Sequence, residues 1–201
     1  MRQPTAFTVL IGVLLVAGCG AGPPDAASTT TPPVTAPLAT TVPTPTGTAF
    51  NPTDIAWLQL TVAMTERLLP VLDLVPARTT DPAWRQTVTQ VATTRHADLD
   101  RARRLLADAA APTTNPHEGH DMPGMATAQE MTALRAASGQ PFHRLLAGHL
   151  RAHLAQSVRI ATAEQQNGVQ PATVALAAAV VRSGTADLAR LDRLDPETQA
   201  A

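Results

Sequence analysis

From Asn51 onward, apolar residues recur at the three- to four-residue spacing of helices, and Pro and Gly stand mainly at the joints between apolar segments. No segment alternates apolar and polar residues as a half-buried strand does. The pattern predicts an all-α domain, a four-helix bundle with a short extra helix in its central connection. The four long helices are predicted at 53–74, 82–110, 141–166 and 171–194.

Several joints carry helix-capping residues. Asp81 suits an N-cap and Pro82 the first position of a helix. The sequence "TAQE" at 127–130 has capping-box spacing and predicts the short helix, which "SG" at 138–139 should end. Pro70 is expected to kink or shorten the end of the first long helix, because it removes a backbone donor and clashes one turn back.

A shift of 89 residues superimposes the second pair of long helices on the first without a gap. Pro82 then falls on Pro171, and Asp98 falls on Asp187. These matches favour duplication of one helix pair, although any two amphipathic helix pairs can be brought into rough register. Duplication predicts a pseudo-symmetric bundle in which the first and third long helices have equivalent roles.

Residues 1–18 resemble a lipoprotein signal peptide, because Arg2 precedes an apolar run that is too short to span a bilayer. The sequence "VAGC", which ends at Cys19, resembles a bacterial lipobox, whose cysteine is lipidated. An ordinary signal peptide with a chance cysteine is the alternative. Cys19 is the single cysteine and has no internal disulfide partner. The sequence therefore predicts an extracytoplasmic protein, lipid-anchored to the bacterial cell membrane.

The segment that follows, residues 19–50, is predicted to be a disordered tether. It contains seven Pro and nine Thr and almost no large apolar side chains, so it cannot bury a core. Its Thr-Pro composition also suits O-glycosylation. Residues 51–196 remain for the bundle domain.

Charge and motifs exclude several classes of function. A formal charge of −1 gives no reason to expect nucleic acid as a partner. The chain has no P-loop, nucleophile elbow or dinucleotide fingerprint, and no Glu-x-x-His motif of a di-iron centre. We therefore expect no enzymatic activity, and no protein partner can be named.

The segment 117–125, "HEGHDMPGM", combines imidazole and thioether side chains. Thioether sulfur suits Cu(I), and imidazole suits Cu(I), Cu(II) or Zn. In an extracytoplasmic protein this combination favours copper. The alternative is a solvated loop whose methionines pack against the bundle. The candidate ligands in this loop are His117, His120, Met122 and Met125.

Two histidines lie on the apolar stripe of the third long helix. His149 and His153 are four residues apart, so their rings lie one turn above each other on the same face. They could hold one metal ion between them. The alternative is that each is a core histidine with a hydrogen-bonding partner on a neighbouring helix.

The segment 119–168, followed by "LAAAVVRSGTADLARL", resembles the CopM-like family of bacterial extracytoplasmic domains. Gly124 and Met125 match the family's GM motif, 137–139 matches its ASG motif, and Phe142 matches the aromatic residue that follows. The resemblance extends over residues 53–194. It implies a ferritin-like bundle and, as in some members, copper binding.

The family's polar signature is altered at half or more of its positions. His143 stands where the family has an Asp after the aromatic residue. The two His-His pairs of the family are replaced by Met64-Thr65 and His153-Leu154. The two Gln positions hold Arg95 and Gly184, and the two Glu positions hold Asp98 and Asp187. Met64, His143, His149 and His153 are therefore candidates for a rebuilt inner metal site.

Two functions remain open from the sequence. The first is a membrane-anchored copper-binding protein that sequesters or transfers the ion without chemical turnover. The second is a metal-free bundle lipoprotein with an interaction or envelope-structural role.

Overall fold

Six helices account for most of residues 49–194, the part of the chain that the computed structural model describes. The predictions for residues 1–18, for Cys19, for the tether up to residue 48 and for residues 195–196 lie outside it. The described part contains no strand, so the all-α prediction is confirmed. The helices are α1 (Pro52–Leu72), α2 (Val75–Arg78), α3 (Pro82–Asp108), α4 (Ala128–Ala136), α5 (Gly139–Asn167) and α6 (Pro171–Leu194).

Local capping explains where three of these helices begin. Asp81 caps α3 as predicted, with its carboxylate accepting hydrogen bonds from two backbone N–H groups of the first turn. The predicted capping box before α4 is present between Thr127 and Glu130. A second box begins α1, where Asn51 and Asp54 exchange hydrogen bonds of 2.7 and 2.8 Å.

Two helix boundaries differ from the prediction. Helix α1 ends at Leu72, two residues after Pro70, and α2 follows as a separate turn. Helix α5 begins at Gly139 rather than at Pro141, and Ser138 is its N-cap. Proline is tolerated in the first turn of a helix because backbone N–H groups there have no intrahelical acceptor, so Pro141 does not mark the start.

The four long helices pack in pairs around a common core. Helix α1 lies against α3 and α5, and α6 lies against α3 and α5, as the predicted duplication requires. Two large apolar clusters fill the ends of the bundle, one around Trp84 and Phe142, the other around Trp57 and Leu176. Between these clusters, each of the four long helices contributes buried polar side chains.

Two helical stretches, Pro52–Arg78 and Pro171–Leu194, are long and apolar enough to cross a membrane by length and composition. Both contribute buried side chains to the bundle core. An apolar core helix meets the same criteria, so these stretches are weak evidence of a membrane span.

Candidate metal centre in the middle of the bundle

The middle layer of the bundle, between the two apolar clusters, is polar. Each of the four long helices contributes to it. Its buried polar side chains are Thr65 from α1, Arg95 and Asp98 from α3, His153 and Ser157 from α5, and Asp187 from α6.

Arg95 lies at the centre of this layer and is 2% exposed. Its guanidinium is 3.4 Å from a carboxylate oxygen of Asp98 and 3.8 Å from one of Asp187, and it donates a 2.6 Å hydrogen bond to Ser183. Burial raises the pKa of Asp98, and the charge of Arg95 opposes this. Because Asp98 and Asp187 are equivalent in the 89-residue repeat, Arg95 lies between the matching carboxylates of both halves, and Arg190 supplies a second positive charge 2.6 Å from Asp187.

Gly184 is the repeat-equivalent of Arg95, and it has a different structural role. A Cβ at this position would lie 2.7 Å from a methyl group of Val158, so glycine allows α5 and α6 to approach closely. The two halves of the bundle have therefore diverged at this pair of positions. Arg95 supplies a buried positive charge, whereas Gly184 allows the close contact between α5 and α6.

The loop between α3 and α4 packs its methionines against α1. Met122 and Met125 lie in one apolar cluster with Met64, and Met64 and Met125 are buried. The guanidinium of Arg67 holds the loop nearby, with hydrogen bonds to the carbonyl oxygen of Ala126 and to Asp121. The two loop methionines and Met64, which is about sixty residues earlier in the sequence, therefore belong to one apolar cluster.

Gly124 joins this methionine cluster to α5. Its φ of +85° lies in the left-handed region, and its Cα is so close to the helix that a Cβ would lie 3.0 Å from that of Gln156. Its carbonyl oxygen is 3.0 Å from Nδ1 of His153. A carbonyl can only accept, so Nδ1 of the neutral ring carries the proton and Nε2 keeps its lone pair.

His153 is 1% exposed and remains neutral over the physiological range. Burial lowers the pKa of its imidazole to about 3, and the hydrogen bond to Gly124 opposes this shift only in part. A neutral imidazole with one nitrogen held by a carbonyl has the usual state of a metal-binding histidine.

His149 lies one turn from His153 and is 8% exposed. Its Nε2 atom is buried and has no hydrogen-bond partner among the described residues. Burial lowers the pKa of His149, and the carboxylate of Glu130 opposes this. The imidazole lines a surface cavity of about 290 Å³ that Met125 also lines.

The structure does not place His143 with the other two histidines of α5. Its ring stacks on Trp84, with ring centroids 4.8 Å apart, and its Nε2 atom is 2.7 Å from the hydroxyl of Thr79. His143 lies near the start of α5, which packs there on the segment that leads into α3. It is therefore separate from the candidate centre.

The two loop histidines lie at the outer part of the loop. His120 is exposed, whereas His117 is half-buried and lines a larger cavity of about 520 Å³ with α1 and α3. The loop is held there by Asn115, whose side chain donates a 2.8 Å hydrogen bond to the carbonyl of Gln59.

Among residues 49–194, no three His, Cys, Asp or Glu side chains form a group that could hold a metal ion. The donors that the structure brings together are instead the three thioethers, with His153 adjacent through Gly124 and His149 one turn away. This donor set is soft and matches Cu(I) better than Mg²⁺, Ca²⁺ or Zn²⁺.

Sequence reasoning did not find the ion-pair network of Arg95 or the link between Gly124 and His153. The 89-residue shift contained a signal for the network, because it aligned Asp98 with Asp187. No comparable signal exists for the contact of Gly124, which depends on the path of a loop.

Comparison with known proteins agrees with this fold. The family described as a domain of unknown function, DUF305, matches residues 54–194. The crystal structure of a DUF305 fragment from Deinococcus radiodurans is 14% identical with a TM-score of 0.66, over 73% of this chain and 97% of that one. A DUF305 protein from Streptomyces coelicolor, named as a candidate secreted protein, is 21% identical with the same TM-score, over 72% and 93% of the two chains.

None of the curated proteins matches the chain. At these identities the two crystal structures show the fold alone. The family match, by contrast, extends over well more than half of the sequence, beginning two residues after the start of α1 and ending with α6. This protein belongs to the DUF305 family.

Proposed function

We propose that this protein is a membrane-anchored extracytoplasmic copper-binding protein, which holds Cu(I) for sequestration or transfer and catalyses no reaction. The observation that carries the proposal is the packing of Met122 and Met125 against Met64, beside a buried histidine. The loop and α1 supply the sulfur atoms, and α5 supplies the imidazole.

The donor chemistry supports Cu(I). Thioethers are soft, uncharged ligands that bind Cu(I) and bind hard divalent ions poorly. The neutral ring of His153 needs no deprotonation before it can coordinate. Arg95 lies between the nearby carboxylates of Asp98 and Asp187 and would compete with a metal ion for them, which favours sulfur and nitrogen as donors.

The cellular location rests on separate support. The signal-like N-terminus and the lipobox ending at Cys19 favour export and lipid attachment. The Streptomyces coelicolor relative is likewise named as a candidate secreted protein. Outside the cytoplasm, a lipid-anchored bundle would meet copper ions before they cross the membrane.

The test is a Cu(I) titration of the chain from Gly20 onward, which lacks the single thiol, in competition with a chromophoric chelator. The wild type is expected to bind one ion. The nearly isosteric replacements Met64→Leu and Met125→Leu should weaken binding without unfolding the bundle. His143→Phe is the matched control, because His143 lies outside the cluster. A triple Met64, Met122 and Met125→Leu variant with unchanged affinity would contradict the proposal.

One observation favours the second candidate function, a metal-free bundle with an interaction or envelope-structural role. Arg95 and Arg190 already pair with the carboxylates of the middle layer, so this layer needs no metal ion for charge balance. If this function is correct, replacing all six histidines will leave cellular copper tolerance unchanged, and added Cu(I) will not raise the melting temperature of the wild type.

A further inference from the structure

A cavity at the surface of the bundle is lined by His149, whose ring has a buried nitrogen without a hydrogen-bond partner among the described residues. Helix α4, helix α5 and residues 124–125 of the loop form its walls, and it holds about 290 Å³. The unpartnered nitrogen is Nε2 of His149, which has almost no exposed surface of its own. A buried polar atom without a partner is unfavourable, because it has lost its hydrogen bonds to water. A ligand that reaches this nitrogen from the cavity therefore requires a small movement of the imidazole ring.

The same cavity touches the methionine cluster through one side chain. Met125 lines the cavity and also packs against Met64 in the buried cluster. Gly124, the residue before it, lines the cavity and accepts the hydrogen bond of His153. The cavity and the proposed Cu(I) site are therefore in contact with the same two loop residues.

The mouth of the cavity carries charged and apolar side chains. Leu145, one of its lining residues, is 43% exposed. The carboxylate of Glu130 also lines it, but it accepts a 2.7 Å hydrogen bond from the backbone of Thr127 in the capping box. Arg144 lines the same cavity, so the lining carries one charge of each sign, and the imidazole nitrogen of His149 has no hydrogen-bond partner among the described residues.

From this geometry we infer that His149 is the receiving ligand through which Cu(I) passes from solvent to the buried cluster. This inference rests on the proposed function. Cu(I) leaves an external chelator, binds Nε2 of His149 together with the sulfur of Met125, and then exchanges His149 for Met64 and His153. The copper keeps its oxidation state: the chelator leaves as His149 and Met125 bind, and His149 leaves as Met64 and His153 bind, while Met125 stays bound throughout.

The experiment measures the rate and the equilibrium of Cu(I) transfer separately, with the Cu(I)–bicinchoninate complex as donor and the chain from Gly20 onward as acceptor. His149→Phe keeps an aromatic ring of similar size but has no ligating nitrogen. It should slow uptake and release by about tenfold each, while the equilibrium affinity stays close to wild type. His143→Phe, on the same helix but outside the cavity, should change neither.

A second variant tests the route without changing any ligand. Gly148 lines the cavity, and a Cβ there would meet no atom within 4 Å. Gly148→Leu should therefore fold, narrow the mouth and slow transfer with His149 intact.

The outcomes separate the two proposals. If the wild type binds no Cu(I), the proposed function fails. If it binds Cu(I) and both variants transfer it at the wild-type rate, the inference about His149 is wrong while the proposed function stands. Loss of affinity in His149→Phe as large as in Met64→Leu would make His149 a permanent ligand and would overturn its transfer role.

Discussion

Nδ1 of His153 lies 3.0 Å from the carbonyl oxygen of Gly124, and this contact joins the middle of α5 to the methionine-bearing loop. It orients the imidazole, determines which nitrogen carries the proton, and holds Met125 next to the helix. The position of the loop and the state of the proposed ligand are therefore coupled. The first prediction follows from this coupling.

Gly124→Ala should lower the free energy of unfolding and weaken Cu(I) binding. The residue has a positive φ, and its new Cβ would lie 3.0–3.2 Å from atoms of α5, so the loop must move away from His153. Gly119→Ala is the matched control, because Gly119 also has a positive φ but nothing within 4 Å. Gly124→Ala should cost about 1–3 kcal/mol more than the control in urea unfolding. If Gly124→Ala and Gly119→Ala lose the same free energy of unfolding and bind Cu(I) with the same affinity, the coupling is refuted.

Acid should destabilise the bundle through His153. Its pKa of about 3 in the folded protein lies below the ordinary value of 6.5, so between these values the unfolded chain binds more protons than the folded one. The stabilising contribution is fully present above pH 6.5 and is lost as the pH falls towards 3, by up to about 1.4 kcal/mol per pH unit. His153→Gln, which keeps a donor for Gly124, should flatten this part of the curve of unfolding free energy against pH. A parallel curve for the variant would contradict the assignment.

A buried carboxyl pair at another joint should have the opposite pH dependence. Asp54 accepts hydrogen bonds from the backbone of Val169 and Gln170 and so connects α1 to the start of α6. Glu164 is buried beside it. Burial, and after it the neighbouring Asp54 carboxylate, raise the pKa of Glu164 to about 8.

Between pH 4.5 and about 8 the folded chain therefore holds the extra proton, and stability should decrease as the pH rises through this range. Glu164→Gln resembles the protonated acid and cannot ionise. The variant should match the wild type near pH 5 and be more stable near pH 8.5, as measured by chemical denaturation at both values. A wild type that gains stability relative to the variant on going from pH 5 to 8.5 would show that the sign is wrong.

Loss of the buried ion pairs of Arg95 should lower the free energy of unfolding far more than loss of the exposed pair between Arg103 and Glu66, although the exposed pair has the shorter distance. Arg95→Met leaves the buried carboxylate of Asp98 without its cation, and such a loss costs about 3–5 kcal/mol. Asp187 keeps a 2.6 Å contact to Arg190. Adding Asp98→Asn should recover much of the stability, because the unpaired charge is removed.

Arg103→Met is the control for Arg95→Met. Arg103 lies 2.7 Å from Glu66, but both side chains are about half exposed, so the loss should be about 0–1 kcal/mol. The two variants can be compared by urea unfolding at one pH. Losses of similar size would mean that Arg95 is not the charge-balancing residue of the middle layer.

Much of the helical architecture followed from local physics. The N-caps at Asp81 and Thr127 were predictable because a cap depends on residues within one turn. The equivalent roles of α1 and α5 were expected from the 89-residue repeat, whereas the contacts of α1 with α5 and of α3 with α6 came only from the structure. The first residue of α5 could not be predicted, because Pro141 is compatible with any position in the first turn of a helix.

The sequence by itself determined the all-α class, the helix caps and the residue types that could bind a soft metal. Only the tertiary structure decided which of those residues meet. It grouped Met64 with the loop methionines, turned His143 towards Trp84, and placed Arg95 between two repeat-equivalent carboxylates. These contacts join residues that are far apart in sequence. They depend on the rotation of each helix and the path of the loop, which packing of the whole core determines and no local pattern encodes.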